Sequence, residues 1–247
     1  MAIDPNEKFS RILTIALGVC AIAFGIVGFD VSNLTPLLAA LLLFAVVIAP
    51  RASIPLPGTD IALTFSDACI YLAFLFYGGP TAILFAGIET TANCIYLYYR
   101  KGFRFQPYMV PFNIALNVVS FTAAYLIWTI LPSTRLVTGP FGSVQHLIVT
   151  LGTISVLHFV IASSWLSFIR AKNRLSEAYR SWRKDFSSRA MMHIVGAGLA
   201  ALVYMLATYG DILTAVISAV GIAIVYFSFR RSVQDLNEAM LETEAAQ

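Results

Sequence analysis

Hydrophobic positions in this chain neither alternate nor form narrow stripes. They come in blocks, at roughly 11–29, 34–49, 66–77, 79–99, 108–131, 143–169, 191–209 and 211–229. Most of these blocks approach or exceed the length of a bilayer-crossing helix, whereas a soluble helix would show a single apolar face. The pattern predicts an all-α fold: a polytopic membrane helix bundle of about eight transmembrane segments. The third block is the shortest, and a half-helix or re-entrant piece is its alternative. The first block precedes Gly28-Phe29-Asp30, a poor cleavage site, and is read as a retained span.

The polar stretches between blocks are short. Residues 54–66, IPLPGTDIALTFS, hold two prolines and a glycine that forbid regular helix, while Ile61, Leu63 and Phe65 alternate as in extended chain. Such a segment can fold back against the bundle and line a cavity. Tyr77-Gly78-Gly79-Pro80 predicts a tight reversal, because Gly78 and Gly79 tolerate positive φ and proline suits a helix start. In 170–190, Leu175, Ala178, Trp182 and Phe186 recur at helical spacing among basic residues, which predicts an interfacial helix on the inner leaflet. After Arg230-Arg231, the spacing of Val233, Leu236, Met240 and Thr243 opens a heptad pattern. Residues 1–231 therefore read as the transmembrane domain, and 232–247 as the start of a cytoplasmic signalling or coiled-coil helix. The heptads stop in mid-pattern, which fits a truncation or a docking tail.

Charge orients the bundle. With eight crossings and a cytoplasmic N-terminus, every one of the 16 Lys and Arg residues except Arg135 falls on the inner side. Removing the third crossing would divide them between both faces, so the positive-inside rule favours eight crossings with both termini cytoplasmic. The outer connections are then small, and any outer ligand must enter the bundle itself. Composition agrees: 59% of residues are apolar and only 12% charged, about half the charged share of a soluble domain. The lipid bilayer is the expected partner, in a bacterial inner membrane. The basic residues form no surface that would read nucleic acid. Cys20, Cys69 and Cys94 lie in apolar blocks without metal or redox spacing, and buried packing is their expected role. Small residues at every fourth position, Ala82 and Ala86, then Ala215, Ala219 and Ala223, permit close helix approach inside the bundle or across a homodimer.

Candidate chemistry is confined to a few intramembrane polar residues. Glu89 lies near the middle of the fourth block, where a carboxylate is costly unless paired, protonated or facing a wet cavity. Asn93 shares its helix face. Asn113 and Asn117 form a second i, i+4 pair at comparable depth on the next helix, and His158 lies mid-block in the sixth. Glu89, Asn93, Asn113, Asn117 and His158 are the candidates for ligand binding or proton sensing. The alternative is that they only hydrogen-bond between helices. Ser66 and Asp67 are expected to cap the third helix, Asp67 also matching the dipole at its N-terminus. His146, His158 and His193 fall at different depths, which argues against a bis-His haem. No catalytic motif is present, so no enzyme activity, metal or cofactor is expected of this chain.

The run TFSDACIYLAFLFYGGPTAILFAGIE, and the later SWRKDFSS followed by IVYFSFRRSVQDLNEAM, resemble the N-terminal multi-span membrane region of bacterial signalling proteins. In that group the region precedes a diguanylate cyclase, a cyclic-di-GMP phosphodiesterase, an HD-type hydrolase or a histidine kinase. Ser66, Asp67, Gly78, Gly79 and Glu89 are the matching positions. The resemblance implies a dimeric sensory input region or anchor whose last helix signals to a cytoplasmic output domain. No output domain is present within these 247 residues. Two other functions fit the residues: a transport or capture component with a pocket near Glu89, and a structural subunit docking on other membrane proteins.

Overall fold

A computed structural model describes residues 5–52, 54–55, 62–63, 66–101, 108–131, 144–171, 174–210, 231–233 and 235. Seven α-helices dominate them: α1 (Pro5–Val27), α2 (Pro36–Leu43), α3 (Ser66–Tyr77), α4 (Gly79–Lys101), α5 (Met109–Ile130), α6 (Val144–Arg170) and α7 (Leu175–Tyr209). A two-residue antiparallel ladder pairs Ile54 with Leu63 and Pro55 with Ala62, so the stretch expected to be extended is so at the residues described. The block at 211–229, its Ala215, Ala219 and Ala223, and nearly all of the heptad tail lie outside the described residues.

Local chemistry sets the helix ends. The Thr35 hydroxyl accepts from Leu38 N–H at 3.2 Å, and Pro36 takes the first helical position, where a missing N–H costs nothing. α2 then continues through a π-helical turn at Phe44–Ile48. Gly78, at φ 84°, makes the reversal from α3 to α4 that the Gly-Gly pair predicts.

Among the described residues three helices, Glu7–Val27, Met109–Ile130 and Gln145–Ile169, are long and apolar enough to cross a membrane. Pro36–Ile48, Asp67–Tyr77 and His193–Tyr209 are shorter apolar helices. The all-α expectation is thus met, and three of the eight expected spans have a candidate helix among the described residues. Large side chains on α1 such as Phe9, Ile12, Val19 and Ile26 are exposed, an apolar surface suited to lipid.

Helix directions follow from the contacts. α1 runs parallel to α5: Arg11 stacks over Tyr108, and Gly18 meets Ala115. It runs antiparallel to α4, with Gly25 against Leu84 and Gly28 against Pro80. α3 and α7 run together, pairing Asp67 with Gly196 and Phe76 with Tyr204. α6 opposes α7, since Trp182 bonds Ser163 while His193 meets His158. Consequently α1, α3, α5 and α7 point one way, and α4 and α6 the other.

α3 is the hub. Every residue from Ala68 to Leu75 is buried. Phe74 makes edge-on contacts with Phe121 and Trp128 of α5. Its 12 residues rise about 18 Å, short of a hydrocarbon core of about 30 Å, which explains why the third block looked too short to span. Ala82 and Ala86 are fully buried, so this stripe serves packing within the chain.

The main departure from expectation is α7. The interfacial helix of 170–190 and the block of 191–209 are one helix of 35 residues. Its amphipathic face does not lie free on a surface. Trp182 Nε1 donates to Ser163 Oγ at 2.8 Å, and Phe186 packs on Phe159 at 5.1 Å, so α6 takes part of that face while Leu175 stays exposed. Arg180 and Arg183 remain exposed.

Candidate functional site

A polar relay crosses the centre of the bundle. It begins on α4, where the Thr90 hydroxyl donates to the Ala86 carbonyl at 2.8 Å. That uses its only proton, so Thr90 Oγ1 must accept from Asn117 Nδ2 of α5, at 2.7 Å. Asn117 Oδ1 is thereby turned to His158 Nε2 of α6, at 3.0 Å, and His158 must carry its proton there. In a neutral ring Nδ1 is then bare, and it accepts from the Tyr71 hydroxyl of α3 at 3.3 Å. The Tyr71 oxygen in turn accepts from His193 Nδ1 of α7, at 3.0 Å. The same nitrogen faces Asp67 Oδ2 at 3.5 Å. With the Thr90 proton on that carbonyl and both imidazoles neutral, each bond along the line has one consistent direction, and five helices contribute a member.

The relay is dry. Tyr71 is 0% exposed and His158 1%. Phe121 closes over His158 at 5.5 Å, and Phe159 over His193 at 5.6 Å. The two imidazoles meet edge to face, with centroids 4.9 Å apart. Burial makes each bond costly to leave unmade, and a fully satisfied network holds its helices in one arrangement.

Of the residues expected from the sequence, Asn117 and His158 are directly bonded in the relay. Glu89 and Asn93 form a second pair, the Asn93 amide donating to the Glu89 carboxylate. Glu89 is 1% exposed, hydrogen-bonds the Thr90 side chain and so touches the relay, and lies within electrostatic reach of Asp67. Asn113 is engaged elsewhere, against the Cys94 thiol. Asp67 lies in the first turn of α3, as a helix-dipole role requires, but its carboxylate also faces His193, which capping alone does not explain. The Ser66 side chain lies outside the described residues. Gly78 serves the expected turn, while Gly79 lies tight against the Tyr125 ring.

Tyr71, Thr90 and His193 are the members that sequence reasoning missed. For Tyr71 a signal existed: Asp67 and Tyr71 stand at i, i+4 on one face of α3. For His193 the reasoning about depth was wrong. It took the seventh block to begin at 191, which puts His193 at the membrane edge. Because α7 begins at Leu175, 18 residues earlier and about 27 Å along the axis, His193 lies in mid-helix beside His158. The premise that kept the histidines apart, and with it the argument against a shared centre, is removed. Haem remains excluded for another reason, since the Tyr71 hydroxyl fills the space between the two rings. The donor atoms of Asp67, His158 and His193 all lie within 4.8 Å of one another.

Gly196, one turn beyond His193, makes this meeting feasible. A Cβ there would fall 2.9 Å from Asp67 Cβ and 3.3 Å from Ala68 N, so only glycine lets α7 approach α3 this closely. No protein-family model, curated protein or solved structure matches this chain.

Proposed function

We propose that this chain is a membrane-embedded sensory input region of a bacterial signalling protein, multi-pass in the inner membrane. In this reading it crosses eight times with both ends cytoplasmic, the third passage being made by α3 as a short helix buried inside the protein, where no lipid-facing helix is needed; it acts without catalysis of its own and signals to a cytoplasmic output domain or partner. One observation carries it: a single directed hydrogen-bond relay joins α3, α4, α5, α6 and α7, and its last member sits on an unbroken helix. A change at His193 is therefore a change in how α7 is held. That helix runs without interruption from the relay to the exposed Arg180 and Arg183, which the charge distribution assigns to the cytoplasmic side. Packed helices switch between discrete arrangements, so altering one bond in such a network moves an element as a body. The alternating helix directions support the eight crossings, and the resemblance of the run from Thr64 to Glu89 and of the closing segments to signalling input regions points the same way.

The test is a distance. Spin labels replace the exposed Tyr99 at the end of α4 and the exposed Tyr179 near the start of α7, with the exposed Cys20 changed to Ser. The full chain is placed in lipid nanodiscs and the inter-label distribution is measured by pulsed electron resonance. Tyr71→Phe and Asn117→Leu should each produce a second distance population. Identical distributions in wild type and both variants would show that the relay does not position α7 and would overturn the sensory reading.

A further inference from the structure

We propose that Asp67, His158 and His193 are the protein ligands of a first-row divalent transition-metal ion of the zinc class, with the Tyr71 oxygen at the fourth corner. Metal–nitrogen and metal–oxygen bonds of about 2.0–2.1 Å in a tetrahedron set neighbouring donor atoms about 3.3 Å apart. The contacts among these side chains have that length: Tyr71 Oη to His158 Nδ1 is 3.3 Å, Tyr71 Oη to His193 Nδ1 is 3.0 Å, and His193 Nδ1 to Asp67 Oδ2 is 3.5 Å. Three of the six edges of such a tetrahedron thus have the required length, and the donor atoms of Asp67, His158 and His193 lie within 4.8 Å of one another, so the remaining edges shorten when an ion binds.

The surroundings of the ligands match the requirement as well. A metal-bound imidazole needs its far nitrogen protonated and anchored to an acceptor. His158 is in that state, because the line of bonds from the Ala86 carbonyl through Thr90 and Asn117 places its proton on Nε2 and aims the bare Nδ1 at the site. Two protons rearrange when the ion binds: His193 shifts its proton from Nδ1 to Nε2 so that the Nδ1 lone pair faces the metal, and the Tyr71 hydroxyl proton now directed at His158 Nδ1 is released to solvent as the oxygen and that nitrogen become ligands. The ligands stand on α3, α6 and α7, helices locked by Gly196 and by the Trp182–Ser163 bond, which is the rigid support a metal centre needs.

Ligand chemistry selects the ion. Two imidazoles with one carboxylate suit zinc, iron(II), cobalt(II) or nickel(II). Magnesium and calcium want oxygen donors throughout. Charge also favours a cation, since the Asp67 carboxylate is one of the ligands. Binding rests on this geometry alone, whereas its role as the stimulus rests on the sensory reading above.

The experiment uses the full chain in nanodiscs, free of any affinity tag and stripped with chelator. Cobalt(II) is titrated, visible absorption reports its coordination, and zinc is added in competition. Expected are one equivalent per chain, the absorption of four-coordinate cobalt with nitrogen and oxygen ligands, displacement by zinc, and indifference to magnesium. His193→Gln and Asp67→Asn should abolish the signal. Asn117→Ala should weaken binding about 10- to 100-fold through the lost anchor of His158. His146→Gln, on the same helix as His158 but outside the ligand set, should bind as wild type. Circular dichroism and monodispersity establish that each variant is folded. A folded wild type that takes no stoichiometric cobalt or zinc overturns the proposal, as does equal binding by wild type and His193→Gln. Zinc is also added to the spin-labelled chain. Binding with a shifted distance supports both readings. Binding with an unchanged distance upholds the metal site and counts against the sensory role.

Discussion

Replacing Tyr71 with Phe removes one oxygen atom from the centre of the relay and little else. The ring is fully buried, and its contacts with Phe121 at 6.4 Å and His158 at 6.2 Å survive the change. Two hydrogen bonds disappear, to His158 Nδ1 at 3.3 Å and His193 Nδ1 at 3.0 Å. Interhelical hydrogen bonds in membrane bundles average about 0.6 kcal/mol each, so their direct loss is worth about 1.2 kcal/mol. The consequences for the two histidines differ. His193 keeps Asp67 as an acceptor. His158 is held by Asn117 with Nδ1 bare, so that nitrogen becomes a buried acceptor without a donor, which costs about 1–3 kcal/mol. The sum is a destabilisation of about 2–4 kcal/mol. Reversible unfolding in mixed micelles with chelator present, followed by the fluorescence of Trp128, Trp165 and Trp182, would measure it. Nitrogen NMR of labelled histidine adds an independent reading: wild type should show His158 protonated on Nε2 and His193 on Nδ1. A Tyr71→Phe variant within about 0.5 kcal/mol of wild type, or a His158 carrying its proton on Nδ1, would refute the directed relay.

Two further substitutions separate helix approach from backbone conformation. Gly196→Ala places a Cβ against Asp67 Cβ and Ala68 N, so α7 must move off α3; the cost should be about 1–3 kcal/mol in the same unfolding assay, with weaker cobalt binding. Unchanged stability and binding would show that α7 does not need this close approach. Gly78→Ala meets nothing within 4 Å but forces alanine to φ 84°, so it should cost about 1–2 kcal/mol from backbone strain alone and leave cobalt affinity unchanged. Loss of binding in that variant would show that the α3–α4 turn controls the site.

Much of this protein is determined by short-range pattern. Apolar blocks define the helices because each backbone polar group buried in lipid must find its partner within its own helix, and that demand is read one residue at a time. Thr35-Pro36 and Gly78-Gly79 mark helix ends because capping and positive φ are properties of single residues. Glu89 stood out because a carboxylate in an apolar block is conspicuous whatever surrounds it. The partner half of the site is of another kind. Asp67 and His193 are 126 positions apart, and neither carries a local mark of the other. Their meeting depends on how far α7 extends, on its running parallel to α3, and on Gly196 letting the two backbones close. The change of polarity near 190 looked like a boundary between a surface helix and a span. Yet a helix needs no break where its surroundings change, and no proline or glycine interrupts 175–195. Tertiary packing alone decided that one helix serves both parts, and by doing so it carried His193 into the core.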